Sequence, residues 1–146
     1  MKVKLYIDID GVLLKARDPY PAEYAEEFIS YIIEHYDCYW LTTHCKGDTT
    51  PTINYLSGYF SCSTLEKLKR IKPTMWDTLK TEALDFSSKF IWLDDYIMNA
   101  ELCVLKEYGR TDSVYKVDLK RENLLEIIET IKHIKNGLYP KTTEGK

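Results

Sequence analysis

Short apolar runs alternate with helical patterns along the chain, and most of those runs end in acids or hydroxyls. No other feature restricts the fold as much. Residues 2–8 (KVKLYID) set Val3, Leu5 and Ile7 against Lys2, Lys4 and Tyr6, the period of a half-buried strand, then break into Asp10-Gly11. Residues 38–43 (CYWLTT) are aromatic and β-branched and too short for a helix, which predicts a second strand ending in Thr42 and Thr43. Residues 89–93 (KFIWL) predict a third, running straight into Asp94-Asp95, and residues 113–118 (SVYKVD) a further one. A weak strand is placed at 70–72, making about five in all.

Helical spacing fills the gaps. Ala25, Phe28, Ile29, Ile32 and Tyr36 predict a helix of about four turns. Ile53, Leu56, Tyr59 and Phe60 suggest one short helix, Leu65, Leu68 and Ile71 another, and residues 76–84 a third. Met98, Leu102 and Leu105 form a stripe closed by Gly109, and Leu124, Ile127, Ile128, Ile131 and Ile134 line a last helix. Strand alternating with helix implies an α/β fold: a single three-layer Rossmann-like domain over residues 1–136, its mainly parallel sheet covered on both faces. Residues 137–146 read as a polar tail without an apolar face.

The chain has 146 residues, enough for one domain and too few for two. Lysine and arginine number 20 against 23 aspartates and glutamates, a formal charge of −3. That balance gives no global footprint for nucleic-acid binding, although a local basic patch is compatible with it. Asp8, Asp10 and Asp18 interrupt the first twenty residues, so these cannot be the apolar core of a signal peptide, and no apolar run approaches the ~18 residues of a membrane span. Cys38, Cys45, Cys62 and Cys103 form no CxxC pair, which fits reduced, mostly buried thiols in a cytoplasmic protein.

Ligands of parallel sheets gather at the carboxyl ends of strands, and there the sequence puts Asp8, Asp10, Thr42, Thr43, Asp94 and Asp95. In Asp8-Ile9-Asp10-Gly11 two carboxylates sit two residues apart, and strand alternation aims both to one side. Burying two like charges is costly, so one carboxyl keeps a proton or a cation lies between them. One ionised aspartate can then act as nucleophile while its neighbour exchanges protons. Asp94-Asp95 would add oxygen ligands for a hard cation such as Mg²⁺, and the threonine hydroxyls together with a lysine would hold phosphoryl oxygens. Such a set suits phosphoryl transfer.

The sequence resembles the haloacid dehalogenase superfamily, whose strands end in DxD, then Thr or Ser, followed by a lysine and a strand ending in DD or GD. Here the elements appear in that order as IDIDGVLL, YWLTT, Lys80 and WLDD, across residues 3 to 118. The resemblance implies that Asp8 forms an aspartyl-phosphate and that Asp10 protonates the leaving group, then activates water, while its backbone carbonyl helps hold Mg²⁺. It implies Thr42, or Thr43 in the alternative register, as the phosphoryl-binding hydroxyl, with Asp94 as a direct metal ligand and Asp95 as a direct or water-mediated one. Lys80 matches the family's KxxAL form and is preferred to Lys72, which matches its KP form.

The acid at Asp10 favours phosphoester hydrolysis over dehalogenation. No segment is long enough for a cap domain, so the loop over residues 14–20, with Lys15, Arg17 and Tyr20, becomes the gate. The expected activity is therefore Mg²⁺-dependent phosphomonoester hydrolysis, the acidic balance favouring a small phosphorylated metabolite. A homo-oligomer supplying a lid stays open, and the alternative is a non-hydrolytic phosphate-binding or regulatory module.

Blander roles exist for the same residues. Asp-Gly is common in turns, and Asp94-Asp95 could cap the helix that follows. His44 and Cys45, as neighbours at a strand end, tend to point apart and read as loop polar residues; Trp40, Trp76 and Trp92 read as core.

Overall fold

The structure, a computed structural model, describes residues 2–137. Its sheet comprises β1 (Lys4–Ile7), β2 (Asp37–Trp40), β3 (Phe90–Asp94) and β4 (Val114–Lys116). All pairings are parallel, in the order β2-β1-β3-β4. Five α-helices accompany it among the described residues: α1 (Ala25–His35), α2 (Thr50–Leu56), α3 (Cys62–Leu68), α4 (Asn99–Glu107) and α5 (Leu124–Lys135). A 3₁₀ helix spans Lys80–Ala83. None of these helices is long and apolar enough to cross a membrane.

Period-two alternation divides the strand side chains between two cores. Leu5, Ile7, Cys38, Trp40, Ile91 and Leu93 pack with residues of α1, α3 and α5, including Phe28, Leu68 and Ile131. Tyr6, Phe90 and Trp92 face the other way, onto Trp76, Leu84 and Leu105. Each face is thus covered, which makes the three-layer arrangement. β3 is buried at every position, as befits a strand with partners on both edges and cores on both faces. Trp92 is 0% exposed, and its truncation to alanine would cost ~3–5 kcal/mol.

Helix ends follow from local chemistry. The Asn123 side chain accepts the Glu126 N–H at 3.0 Å, while the Glu126 carboxylate accepts the Asn123 N–H at 2.9 Å, a capping box that starts α5. Gly109 (φ +66°) follows α4 and Gly137 (φ +77°) follows α5, both in the left-handed region that glycine enters at little cost. The predicted tail beyond Gly137 lies outside the described residues.

Four strands form, not about five. At residues 70–72 only a single parallel bridge joins Tyr39 to Lys72, with Trp40 N–H donating to Lys72 O at 2.8 Å and Lys72 N–H to Cys38 O at 3.0 Å. Pro73 follows and has no N–H with which to extend the ladder. The predicted helix over 76–84 shrinks to the 3₁₀ turn, because the Glu82 carboxylate accepts the N–H groups of Asp77, Thr78 and Leu79 and holds them outside a helix. α1 is also shorter than expected, at 11 residues, since β2 begins at Asp37. Of the cysteines, Cys38 and Cys45 are buried but Cys62 and Cys103 are exposed; all four are free thiols.

Candidate active site

From central β1 the chain passes to β2 on one side and then crosses to β3 on the other. The strand order therefore reverses between β1 and β3, and a crevice opens at their carboxyl ends. Asp8 follows β1 directly and Asp94 closes β3. Asp8 lies two residues beyond Tyr6, and Asp94 two beyond Trp92, so both carboxylates turn to the layer that carries the 3₁₀ helix. Lys80 begins that helix and reaches both: its Nζ lies 2.6 Å from Asp94 Oδ2 and 3.4 Å from Asp8 Oδ2.

Asp95 joins this pair. One oxygen from each of Asp8, Asp94 and Asp95 lies within 4.8 Å of the others. Backbone amides hold two of these carboxylates, with Ile9 N–H donating to Asp8 Oδ1 at 2.8 Å and Tyr96 N–H to Asp94 Oδ1 at 3.2 Å. Gly11, at φ +86°, packs flat against the third acid; a Cβ there would fall 2.1 Å from Asp95 Oδ2. Only glycine satisfies both the backbone angle and the approach.

Three acids against one ammonium leave negative charge uncompensated. Burial first, and then the Asp94 charge, push the Asp8 carboxyl up to about 7, with Lys80 offsetting part of the rise. Burial likewise raises Asp94 against the pull of Lys80, and raises Asp95, where the Asp8 charge adds to it. Burial alone would lower Lys80, but the charges of Asp8 and Asp94 outweigh it and the ammonium persists. Lys80 is further positioned by Glu101, which is 2% exposed. Its carboxylate accepts the Lys80 N–H at 2.8 Å and the Met98 N–H at 3.0 Å, joining the 3₁₀ helix to the start of α4.

The Asp10 carboxylate stands apart from this cage, contrary to the expectation from strand alternation. The strand ends at Ile7, and Ile9 O accepts the N–H groups of Val12, Leu13 and Leu14 in a tight turn that breaks the two-residue period. Asp10 instead meets His44 Nε2 at 2.8 Å through Oδ2 and accepts the Tyr55 hydroxyl at 2.9 Å through Oδ1. The two rings stack at 4.0 Å between centroids. Burial, reinforced by the bond to Asp10, pushes the Tyr55 phenol up to about 12, so it remains a donor.

Thr42 is fully enclosed, its Oγ1 accepting the His44 N–H at 3.3 Å, whereas Thr43 is exposed. Lys72 lies away from the cage, paired with Asp37 at 2.9 Å. His44 and Cys45 do point apart, Cys45 toward Asp48 O. His44, Tyr55 and Glu101 were not singled out as site residues by sequence. For Glu101 no signal existed, since Met98 lacks the side-chain acceptor that opens a capping box. For His44 the only one was its place just past the strand-end hydroxyls, and Tyr55 carried none.

One cleft, of about 670 Å³, adjoins the cage at Gly11 and Asp95. Another, of about 530 Å³, lies at the opposite, amino ends of the strands around Val3, Asp37 and Lys89, beyond reach of these acids. Compared with protein-family models, curated proteins and solved structures, the chain matches none.

Proposed function

We propose that this protein is a Mg²⁺-dependent phosphomonoester hydrolase acting through an aspartyl-phosphate on Asp8. The observation that carries the reading is the convergence of Asp8, Asp94 and Asp95 beside the Lys80 ammonium at the sheet's crevice. The order of the same elements along the chain, resembling the haloacid dehalogenase superfamily, supports it. The donor set fits a hard divalent cation: it offers oxygen alone, and its excess of negative charge is what such an ion would neutralise. Asp8, Asp94 and Asp95, with the Asp10 backbone carbonyl, would hold the ion. When bound, Mg²⁺ would reduce repulsion between these carboxylates and an arriving phosphate.

Lys80 orients the phosphoryl oxygens and compensates charge that builds up on them, and the Thr42 hydroxyl, enclosed behind the His44 amide, joins it once the strand end opens to the phosphate. An Asp8 oxygen attacks phosphorus as the bond to the ester oxygen breaks, and protonated Asp10 gives its proton to the departing alkoxide. Water then attacks the phosphorus of the aspartyl-phosphate while Asp10 recovers a proton from it. The bond to Asp8 breaks, releasing inorganic phosphate and restoring the carboxylate. His44 Nε2 can donate or accept according to its tautomer, so it can accompany Asp10 in either protonation state. The Asp10 side chain is 41% exposed, open to a leaving group.

Among the described residues the segments after β1 and β2 hold loops, α1, two short helices and the 3₁₀ turn, which supports reading the site as capless, with residues 14–20 as its gate. The test is release of phosphate from a generic aryl phosphate, and then from a panel of phosphomonoesters, with Mg²⁺ and with EDTA. Metal-dependent turnover that Asp8→Asn abolishes is expected. Robust turnover by that variant would refute the mechanism, and no metal-dependent release from any ester would leave a phosphate-binding module.

A further inference from the structure

Resting on that reading, we propose that the cleft beside the cage is a subsite for a second phosphate of the substrate. The preferred substrate is then a phosphomonoester that carries another phosphate group. Two loops form the cleft walls. Residues 14–20 leave the turn after Asp10 and return, tied at their base by Lys15 N–H to Tyr20 O at 2.9 Å and Ala22 N–H to Leu13 O at 2.7 Å. They bring Lys15 and Arg17 to the cleft, and the end of β4 with the connection to α5 brings Lys116 and Lys120.

The charge there runs against that of the whole chain. Four cations line the cleft although the protein carries a formal charge of −3. Among the described residues, none of the four forms an ion pair within the fold. The wall's acids are otherwise engaged: Asp95 belongs to the cage, and Asp118 accepts the Lys120 N–H at 3.0 Å and faces Arg121 at 4.0 Å. Cations gathered in a concave wall without partners focus a positive potential on what enters. At about 670 Å³ the cleft has the size of a small-ligand pocket, larger than one phosphoryl group needs.

Its junction with the cage supplies the geometry. Gly11 and Asp95 line the cleft, and Asp95 is also one of the three converging acids. A molecule whose scissile phosphate lies against Asp8 therefore extends past Gly11 into the cationic walls. The planar guanidinium of Arg17 suits two phosphate oxygens at once, and the lysines act as point charges.

The experiment compares substrates that differ only by a second phosphate. Glucose 6-phosphate is set against glucose 1,6-bisphosphate, which adds a monoester. Thymidine 5′-monophosphate is set against its 3′-(methyl phosphate), which adds a diester; the pair showing the larger preference identifies the source. Several exposed contacts, each modest alone, predict a kcat/KM about tenfold higher with the second phosphate, falling as salt is raised. The double variants Lys15→Ala/Arg17→Ala and Lys116→Ala/Lys120→Ala should bring that ratio near one. Equal kcat/KM within both pairs in the native protein, or a preference both variants retain, overturns the subsite and leaves the phosphatase reading standing.

Binding decides the matter apart from turnover. Calorimetric titration of Asp8→Asn protein with the same compounds should show the preference, and loss of it when the basic residues are also removed. If nothing is hydrolysed but the preference in binding persists, the phosphatase reading fails and the subsite survives.

Discussion

Replacing Asp8 with asparagine takes one carboxylate from a cage in which three face a single ammonium. The native carboxyl is raised from 3.8 to about 7, mainly by burial and then by Asp94, so the fold binds its proton more tightly than the unfolded chain does. Its contribution is therefore complete below pH ~4, declines as pH rises through the interval up to ~7, and is lost above it. At about 1.4 kcal/mol per tenfold change in proton affinity, the loss is ~4 kcal/mol at most. Asparagine never ionises and escapes it, but leaves Lys80 with Asp94 alone and gives Ile9 N–H a neutral acceptor. With those losses set against it, a net gain of ~2 kcal/mol at pH 8 is expected, a rise of roughly 6 °C in Tm for a domain of this size. Denaturant unfolding in EDTA at several values between pH 4 and pH 8 measures it. The advantage of Asp8→Asn should grow with pH, and Mg²⁺ at pH 8 should stabilise the native protein more than the variant. A difference between the two proteins that stays constant across this range would refute the reasoning.

Four substitutions probe the supports of the cage and of Asp10. Gly11→Ala places a methyl where Asp95 Oδ2 now lies and forces a positive φ on alanine, so Mg²⁺ affinity measured by calorimetry should fall at least ~10-fold. Glu101→Gln keeps the volume but leaves one neutral acceptor for two buried N–H groups, turning its own NH₂ donor toward either Lys80 N–H or Met98 N–H. Stability should drop by ~1–2 kcal/mol in denaturant unfolding, and kcat should fall with Lys80 displaced. His44→Ala, with Tyr55→Phe as a milder companion, frees the Asp10 carboxylate. A reduction of ~10-fold or more in kcat and an altered pH–rate profile are expected, against a loss of at least ~10²-fold for Asp10→Asn.

What the sequence makes legible is what period and strand ends determine. Tyr6 to Asp8 and Trp92 to Asp94 keep the two-residue period to the end of the sheet, and the facing of both acids follows from it. Lys80, preferred on motif spacing, lies beside Asp8 and Asp94, yet the helix expected around it is only a 3₁₀ turn, because Glu82 satisfies the amides that a helix would have used. At Asp10 periodicity fails for a related reason: the turn built on Ile9 O redirects its carboxylate to His44 and Tyr55. Those partners lie 34 and 45 residues away along the chain, on a segment where apolar spacing reveals only short helices. Local pattern carries no trace of such contacts.

The stability expected from Asp8→Asn and the topology of the sheet have one origin. Adjacent parallel strands β1 and β3 bring Asp8 and Asp94 together across 86 residues of sequence, and both acids end buried because the sheet is covered on both faces. Lys80 compensates only part of that charge, and Glu101 spends its own hydrogen bonds on keeping the Lys80 backbone in place. A fold selected for stability alone would not concentrate carboxylates there, since apolar residues of similar volume would cost less than like charges under partial compensation. The repulsion is tolerable if a divalent cation relieves it, and the same excess charge then gives the ion its affinity. Loss of stability without metal and gain of affinity for it should accordingly change together across Asp8, Asp94 and Asp95 variants.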